Sequence, residues 1–151
     1  MTSSLGWRLR TNFAPTRLVA GMQIEHVADD FRSITVALVP RWYSGGTAVP
    51  HDGAALYAMV DPYFVLMARR ALGNGYLVWD KAGSIEILAP GRGRVWARLE
   101  LHDVDLRHMR QMTDTGDKHL HLFGAEVRDG DGMAIAHVEK MIYVRRKTSA
   151  T

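Results

Sequence analysis

The stretch from Gly53 to Leu72 constrains the fold of this chain more than any other. Leu56, Met59, Val60, Tyr63, Met67 and Ala71 recur there at helical spacing, and most other positions are apolar too until Arg69-Arg70. A surface helix carries one apolar stripe, whereas a helix apolar on nearly every side is buried in a core. Asp52 is a fitting N-cap, and Gly73-Asn74-Gly75 ends the run with residues that tolerate positive φ. The most apolar window, Gly53 to Ala68, is too short to cross a bilayer and carries Asp61 at its middle. A carboxylate there would cost roughly 2.5–3.5 kcal/mol on an insertion scale. One long buried helix is therefore expected, and it needs another layer to cover it.

The rest of the chain supplies that layer. Ser3 to Phe13 places Leu5, Leu9 and Phe13 four apart, with Ser3 or Ser4 as cap and Pro15 beyond, which predicts a short helix. Met22 to Val27 and Ser33 to Val39 read as strands joined at Asp29-Asp30, and a loop from Arg41 to His51 carries Gly45-Gly46. After the helix the period changes to two. Tyr76 to Ala89 and Arg94 to His102 are strands around the Pro90-Gly91-Arg92-Gly93 turn, and Val104 to Met112 is a short helix capped by Asp103. Lys118 to Arg128 and Met133 to Arg145 form a hairpin through Asp129-Gly130-Asp131-Gly132. The last strand puts Ala134, Ala136, Val138, Ile142 and Val144 on one face. One apolar helix against one large antiparallel sheet is an α+β layer solution. The sheet covers one side of the helix, so a second copy is expected to cover the remaining apolar surface.

Composition sets outer bounds. The 151 residues fit a single domain, 1–151, with a helical extension over 1–20 and a flexible tail over 145–151. The absence of cysteine excludes a disulfide framework, cysteine metal sites and a thiol nucleophile. A net charge of +3, mostly arginine, suits a phosphate-bearing small ligand and is thin for a nucleic-acid binder. Residues 1–10 have no signal-peptide apolar core, and the expected location is the cytoplasm, with no membrane partner.

Asp61 is the residue the sequence argues for most strongly. Pro62 cannot donate a backbone N–H, so the Ala58 carbonyl loses its helical partner, and the ring disfavours helical geometry at Asp61. A mid-helix proline costs roughly 3 kcal/mol and an unpaired buried carboxylate several more. Two costly choices side by side point either to a site or to an interface ion pair with an arginine. On these grounds Asp61→Asn is expected to fold as well as the parent or better, since a buried amide costs less than a buried charge.

The start of the helix is the second feature. His51-Asp52-Gly53-Ala54-Ala55 puts small residues at the first turn, where free N–H groups and the helix dipole can polarise a carbonyl or hold an anion. Ordinary capping is the alternative. Gly53 and Asp61 are eight residues apart, about 12 Å along a helix. Two helices antiparallel across a dimer would bring one start beside the other's acid.

Here the sequence resembles a known family. His51-Asp52-Gly53-Ala54-Ala55-Leu56-Tyr57-Ala58-Met59-Val60-Asp61, then Val78-Trp79-Asp80-Lys81-Ala82 and Leu88-Ala89-Pro90-Gly91-Arg92-Gly93, look like hotdog-fold acyl-CoA thioesterases, closest to their tetrameric branch. The likeness runs from Gly21 to Lys147. It implies a long central helix wrapped by a curved antiparallel sheet, a homodimer or dimer of dimers, and hydrolysis of an acyl-CoA thioester. By that resemblance Asp61 is the base or nucleophile, and Gly53 of the other subunit faces the thioester oxygen. His51, Asp52, Ala54, Trp79, Lys81 and Arg92 would contact substrate. Asp52 stands where the phenylacetyl-CoA type has histidine, a departure from that pattern. No metal or redox cofactor is implied beyond coenzyme A as part of the substrate. A non-catalytic acyl-CoA-binding protein and, further off, a hotdog dehydratase are the alternatives.

Other groupings have plainer readings. His119-x-His121 with Glu126 resembles a cupin metal motif, but no second histidine motif follows, and a polar strand face or a subunit interface accounts for it. Asp80 and Lys81 could form a structural ion pair, or Lys81 could serve a ligand phosphate or orient Asp61. Arg92 and Arg94 could meet coenzyme A phosphates or serve solubility. The tryptophans at 7, 42, 79 and 96 are expected in the core or at interfaces.

Overall fold

The computed structural model describes residues 3–12, 21–41 and 50–147. Trp42, Gly45-Gly46 and Pro15 lie outside them. The elements in order are α1 (Ser4–Asn12), β1 (Met22–Val27), β2 (Ser33–Leu38), α2 (Gly53–Ala58), α3 (Tyr63–Leu72), β3 (Tyr76–Ile87), β4 (Val95–Glu100), α4 (Asp103–Met112), β5 (Lys118–Arg128) and β6 (Ala134–Arg146). The six strands form one antiparallel sheet in the order β1-β2-β4-β5-β6-β3. It curves around the helical run that starts at Gly53, as the sequence predicts.

Alternation fills the inner face of the sheet. Phe123, Ala125 and Val127 of β5 and Ala136, Val138, Ile142 and Val144 of β6 are buried beside Leu56, Met59, Val60, Phe64 and Met67 of the helical run. Phe64 of α3 stacks on Phe123 with ring centroids 4.5 Å apart.

The helical run is interrupted at the proline. Val60 and Asp61 both donate to the Tyr57 carbonyl at 3.0 Å, a tight turn in place of the regular ladder. Pro62, which has no N–H for the Ala58 carbonyl, becomes the cap of α3, and the ladder resumes with Leu66 donating to Pro62. The backbone therefore turns at Asp61, and the acid sits in a break between two helices.

The two margins of the sheet differ. On β1 the Asn12 side chain brackets Ile24, donating to its carbonyl at 2.9 Å and accepting from its N–H at 2.8 Å. Arg8 adds a bond to the Glu25 carbonyl. These side chains stand where a neighbouring strand would, which blunts that margin. On β3, Arg69 covers the Val78 carbonyl at 2.7 Å near the start of the strand. Beyond it β3 bulges between Asp80 and Ala82 and continues along the margin to Ile87.

Two local expectations change. The cap of α4 is His102, whose backbone is extended and whose N–H donates to Asp105, while Asp103 sits inside the helix and pairs with Arg32. Arg145 and Arg146 belong to β6 rather than to a tail, bonded to Gly116 and Asp114, and Lys147 still donates its N–H to Gly75.

Candidate functional site

Asp61 is held from the sheet by Lys140, through an ion pair within the same chain. Lys140 belongs to β6, on the inner face between Val138 and Ile142, and its side chain is only 4% exposed. A second carboxylate, Asp80 of β3, lies 2.9 Å from the same ammonium. The Tyr57 hydroxyl accepts from it at 3.1 Å. Burial alone would depress the ammonium, but its hydrogen bonds to Asp61, Asp80 and Tyr57, together with the Asp61 charge, hold its pKa above the ordinary lysine value. Asp61 and Asp80 are themselves 36% and 44% exposed. The result is a buried cation with two half-open carboxylates.

Backbone geometry makes this cluster possible. Gly83 is the cross-strand neighbour of Lys140. A Cβ at Gly83 would stand 2.1 Å from the Tyr57 hydroxyl oxygen, so only glycine lets the ring lie over β3 and reach Lys140. The bulge at Lys81 lets Asp80 share a strand face with Gly83. Asp80 therefore pairs with Lys140, not with its neighbour Lys81, which is exposed at the bulge.

The start of α2 is a separate feature. Asp52 is the N-cap, accepting from the Ala55 N–H at 2.8 Å, so its exposed carboxylate serves its own helix. A cavity of about 430 Å³ beside it is lined by Pro50, His51, Gly53, Ile87, Leu88, Ala89 and Pro90. His51 is fixed to the 90–94 turn, its Nε2 lying 2.7 Å from the Gly93 carbonyl and its N–H donating to Gly91. This brings the exposed Arg92 onto the same side of the fold as the helix start. Ala54 is exposed on α2. Trp79 faces away, stacked at 3.8 Å on Tyr143 on the sheet face opposite Asp80 and Lys140. A larger cavity of about 710 Å³, lined by Asp29, Phe31, Arg69, Arg70 and Asn74 among others, includes neither cluster.

The sequence reading missed Lys140 and the contact Tyr57 makes with it, although a signal for the lysine was present. Residue 140 has the parity of Val138 and Ile142, so it is a cation in the middle of the buried face of an apolar strand. The cupin-like trio does not form. Glu126 is on the opposite face of β5 from His119 and His121 and pairs with Arg128. The histidines instead meet His108 and Asp105 of α4. Burial, and then neighbouring imidazoles, lower the pKa of His119. Burial does the same at His121, against an opposing pull from Asp105.

This topology is the hotdog fold, and solved structures share it. A Pseudomonas aeruginosa protein of unknown function, described as a probable thioesterase, superposes with a TM-score of 0.78 at 11% identity over 93% of both chains. A thioesterase from Haemophilus influenzae gives 0.65 at 12% identity, covering 97% of this chain and 96% of its own. A singly substituted thioesterase from Pseudomonas aeruginosa gives 0.67 at 13% identity over 97% of each. By sequence, residues 8–144 match the family described as a domain of unknown function, DUF4442, and the chain belongs to that family. No curated protein matches it. Among the described residues no helix is long and apolar enough to cross a membrane.

Proposed function

We propose that the protein hydrolyses an acyl-CoA thioester at a site shared by two copies of the chain. Water adds to the thioester carbonyl, the carbon–sulfur bond breaks, and a carboxylic acid and the coenzyme A thiol leave. Asp61 either takes the water proton or attacks the carbonyl itself. The N–H of Gly53 from the other copy stabilises the oxyanion. His51, Asp52, Ala54 and Arg92 line the approach to that helix start. Trp79 and Lys81 lie on β3, where the second copy would pair. The observation that carries the reading is the half-open Asp61 carboxylate, fixed at a helix break by the buried Lys140.

Pairing along β3 is supported by the contrast between a blunted β1 margin and a longer, bulged β3 margin. A homodimer, or a dimer of dimers closing over the outer sheet face, would work in the cytoplasm without a metal or redox cofactor. Light scattering should show at least a dimer at micromolar concentration, and a stable monomer there would remove the shared site.

The chemical test is release of coenzyme A thiol from acyl-CoA esters of graded length. The chain has no cysteine, so a thiol reagent sees product alone. Asp61→Asn should lower turnover by roughly 10²-fold or more, the scale of a lost general base, with affinity for the ester little changed. Normal turnover in that variant refutes the assignment. A second reading, an acyl-CoA-binding protein without catalysis, is favoured by the engagement of Asp61 with Lys140. It takes over if the parent protein binds the esters but never releases thiol.

A further inference from the structure

We propose that His108, His119 and His121 form a binding site for a divalent transition-metal cation of the zinc type, at the seam between α4 and β5. Strand alternation puts His119 and His121 on one face, and His121 Nδ1 lies 3.4 Å from His119 Nε2. Two nitrogens on one tetrahedral centre, each 2.0–2.1 Å from the metal, stand about 3.3 Å apart. The other nitrogen of His121, Nε2, lies 3.3 Å from Asp105 Oδ1. A carboxylate on the far nitrogen fixes the tautomer of a metal-binding imidazole, which leaves the Nδ1 lone pair facing His119 Nε2. His108 supplies the third ring, its centroid 4.9 Å from that of His119 and 6.0 Å from that of His121.

Among the described residues no three such donors already converge on one point. His108 is exposed, so closing the site requires its ring to turn toward the other two. His119 then carries its single proton on Nδ1, so binding between neutral imidazoles needs no net proton release. Three imidazoles are a set that suits zinc, nickel or copper, and the fourth position stays open.

The test uses the full untagged chain, freed of metal by chelator. Calorimetric titration with Zn²⁺ should give one cation per chain. Co²⁺ should develop the visible absorption of a tetrahedral nitrogen site, and Zn²⁺ should raise the thermal midpoint. His119→Ala and His108→Ala alter rings that are not buried, so both should fold, and each should weaken Zn²⁺ at least tenfold. Asp105→Asn keeps an oxygen for the α4 cap and should weaken it by about 10–100-fold. His26→Ala, on β1, should bind as the parent does. Absence of saturable one-to-one binding overturns the proposal. So does binding that survives the His108→Ala, His119→Ala double change.

Discussion

Replacing Asp61 and Asp80 by asparagine, singly and together, tests whether one buried ammonium organises the helix break. After either single change Lys140 keeps one carboxylate and the Tyr57 hydroxyl. The two acids are 36% and 44% exposed, so water screens each pair. Each single change should therefore cost only about 1 kcal/mol. With both acids gone, an ammonium whose side chain is 4% exposed has only a neutral hydroxyl. An uncompensated buried charge costs about 3–5 kcal/mol. Giving up the proton sets a ceiling, since deprotonating an ordinary lysine at pH 7 costs about 4.6 kcal/mol. The double variant should thus lose about 3–4.6 kcal/mol, against about 2 if the changes were additive. Equilibrium urea unfolding at pH 7, followed by tryptophan fluorescence, reads the difference. The pH dependence carries a second signature. In the parent the Lys140 pKa is raised, so its contribution is complete below the unfolded value near 10.4 and is lost as pH rises above it. In the double variant burial is opposed only by the Tyr57 hydroxyl and lowers that pKa, so stability should climb between pH 7 and 10. Additivity within about 0.5 kcal/mol, with parallel pH curves, would show that Lys140 is not buried between the two acids.

Two further outcomes are expected. His119 and His121 have depressed pKa values in the folded chain, so the unfolded chain takes up more protons as pH falls through about 6.5. Stability should be full above that pH and decline below it, and His119→Gln should flatten the decline in thermal unfolding between pH 7 and 5. Gly83→Ala sets a methyl 2.1 Å from the Tyr57 hydroxyl oxygen. It should cost about 1–3 kcal/mol in urea unfolding, and less in a Tyr57→Phe background, where the clashing oxygen is gone.

Most of the fold could be read from the sequence because it is written in local periods. Alternation placed β5 and β6 within a residue or so of their ends, and the proline beside Asp61 already marked where the buried helix would be strained. What local patterns do not carry is pairing across the chain. Lys140 lies 79 residues from Asp61, and only the wrapping of β6 under the helix break joins them. The same limit explains Asp80: adjacency suggested Lys81, but a bulge turned the two apart and register gave Asp80 to Lys140. Parity would have done more. It separates Glu126 from His119 and His121, and it sets Lys140 among buried neighbours. His108 and Asp105 joined the histidines through the docking of α4, which no single-element pattern encodes.

The ion pair also changes what the burial of Asp61 implies. From sequence, a buried acid beside a mid-helix proline looked like two uncompensated costs, and removing the charge promised equal or better folding. With Lys140 in place the acid is compensated, and Asp61→Asn should destabilise slightly instead. Cost alone therefore no longer separates a site from a scaffold, and exposure becomes the useful criterion. A carboxylate present only to neutralise Lys140 gains most from full burial beside it, yet more than a third of the Asp61 side chain is open. Asp80 is as open and holds the same ammonium, which makes it the internal control. Asp61→Asn and Asp80→Asn should cost similar stability, about 1 kcal/mol each. If Asp61 performs the chemistry, only its loss lowers turnover by roughly 10²-fold, while Asp80→Asn stays within about tenfold of the parent. Equal losses of turnover in the two variants would mean that both acids act through Lys140, and Asp61 would then be a positioning residue rather than the base or nucleophile.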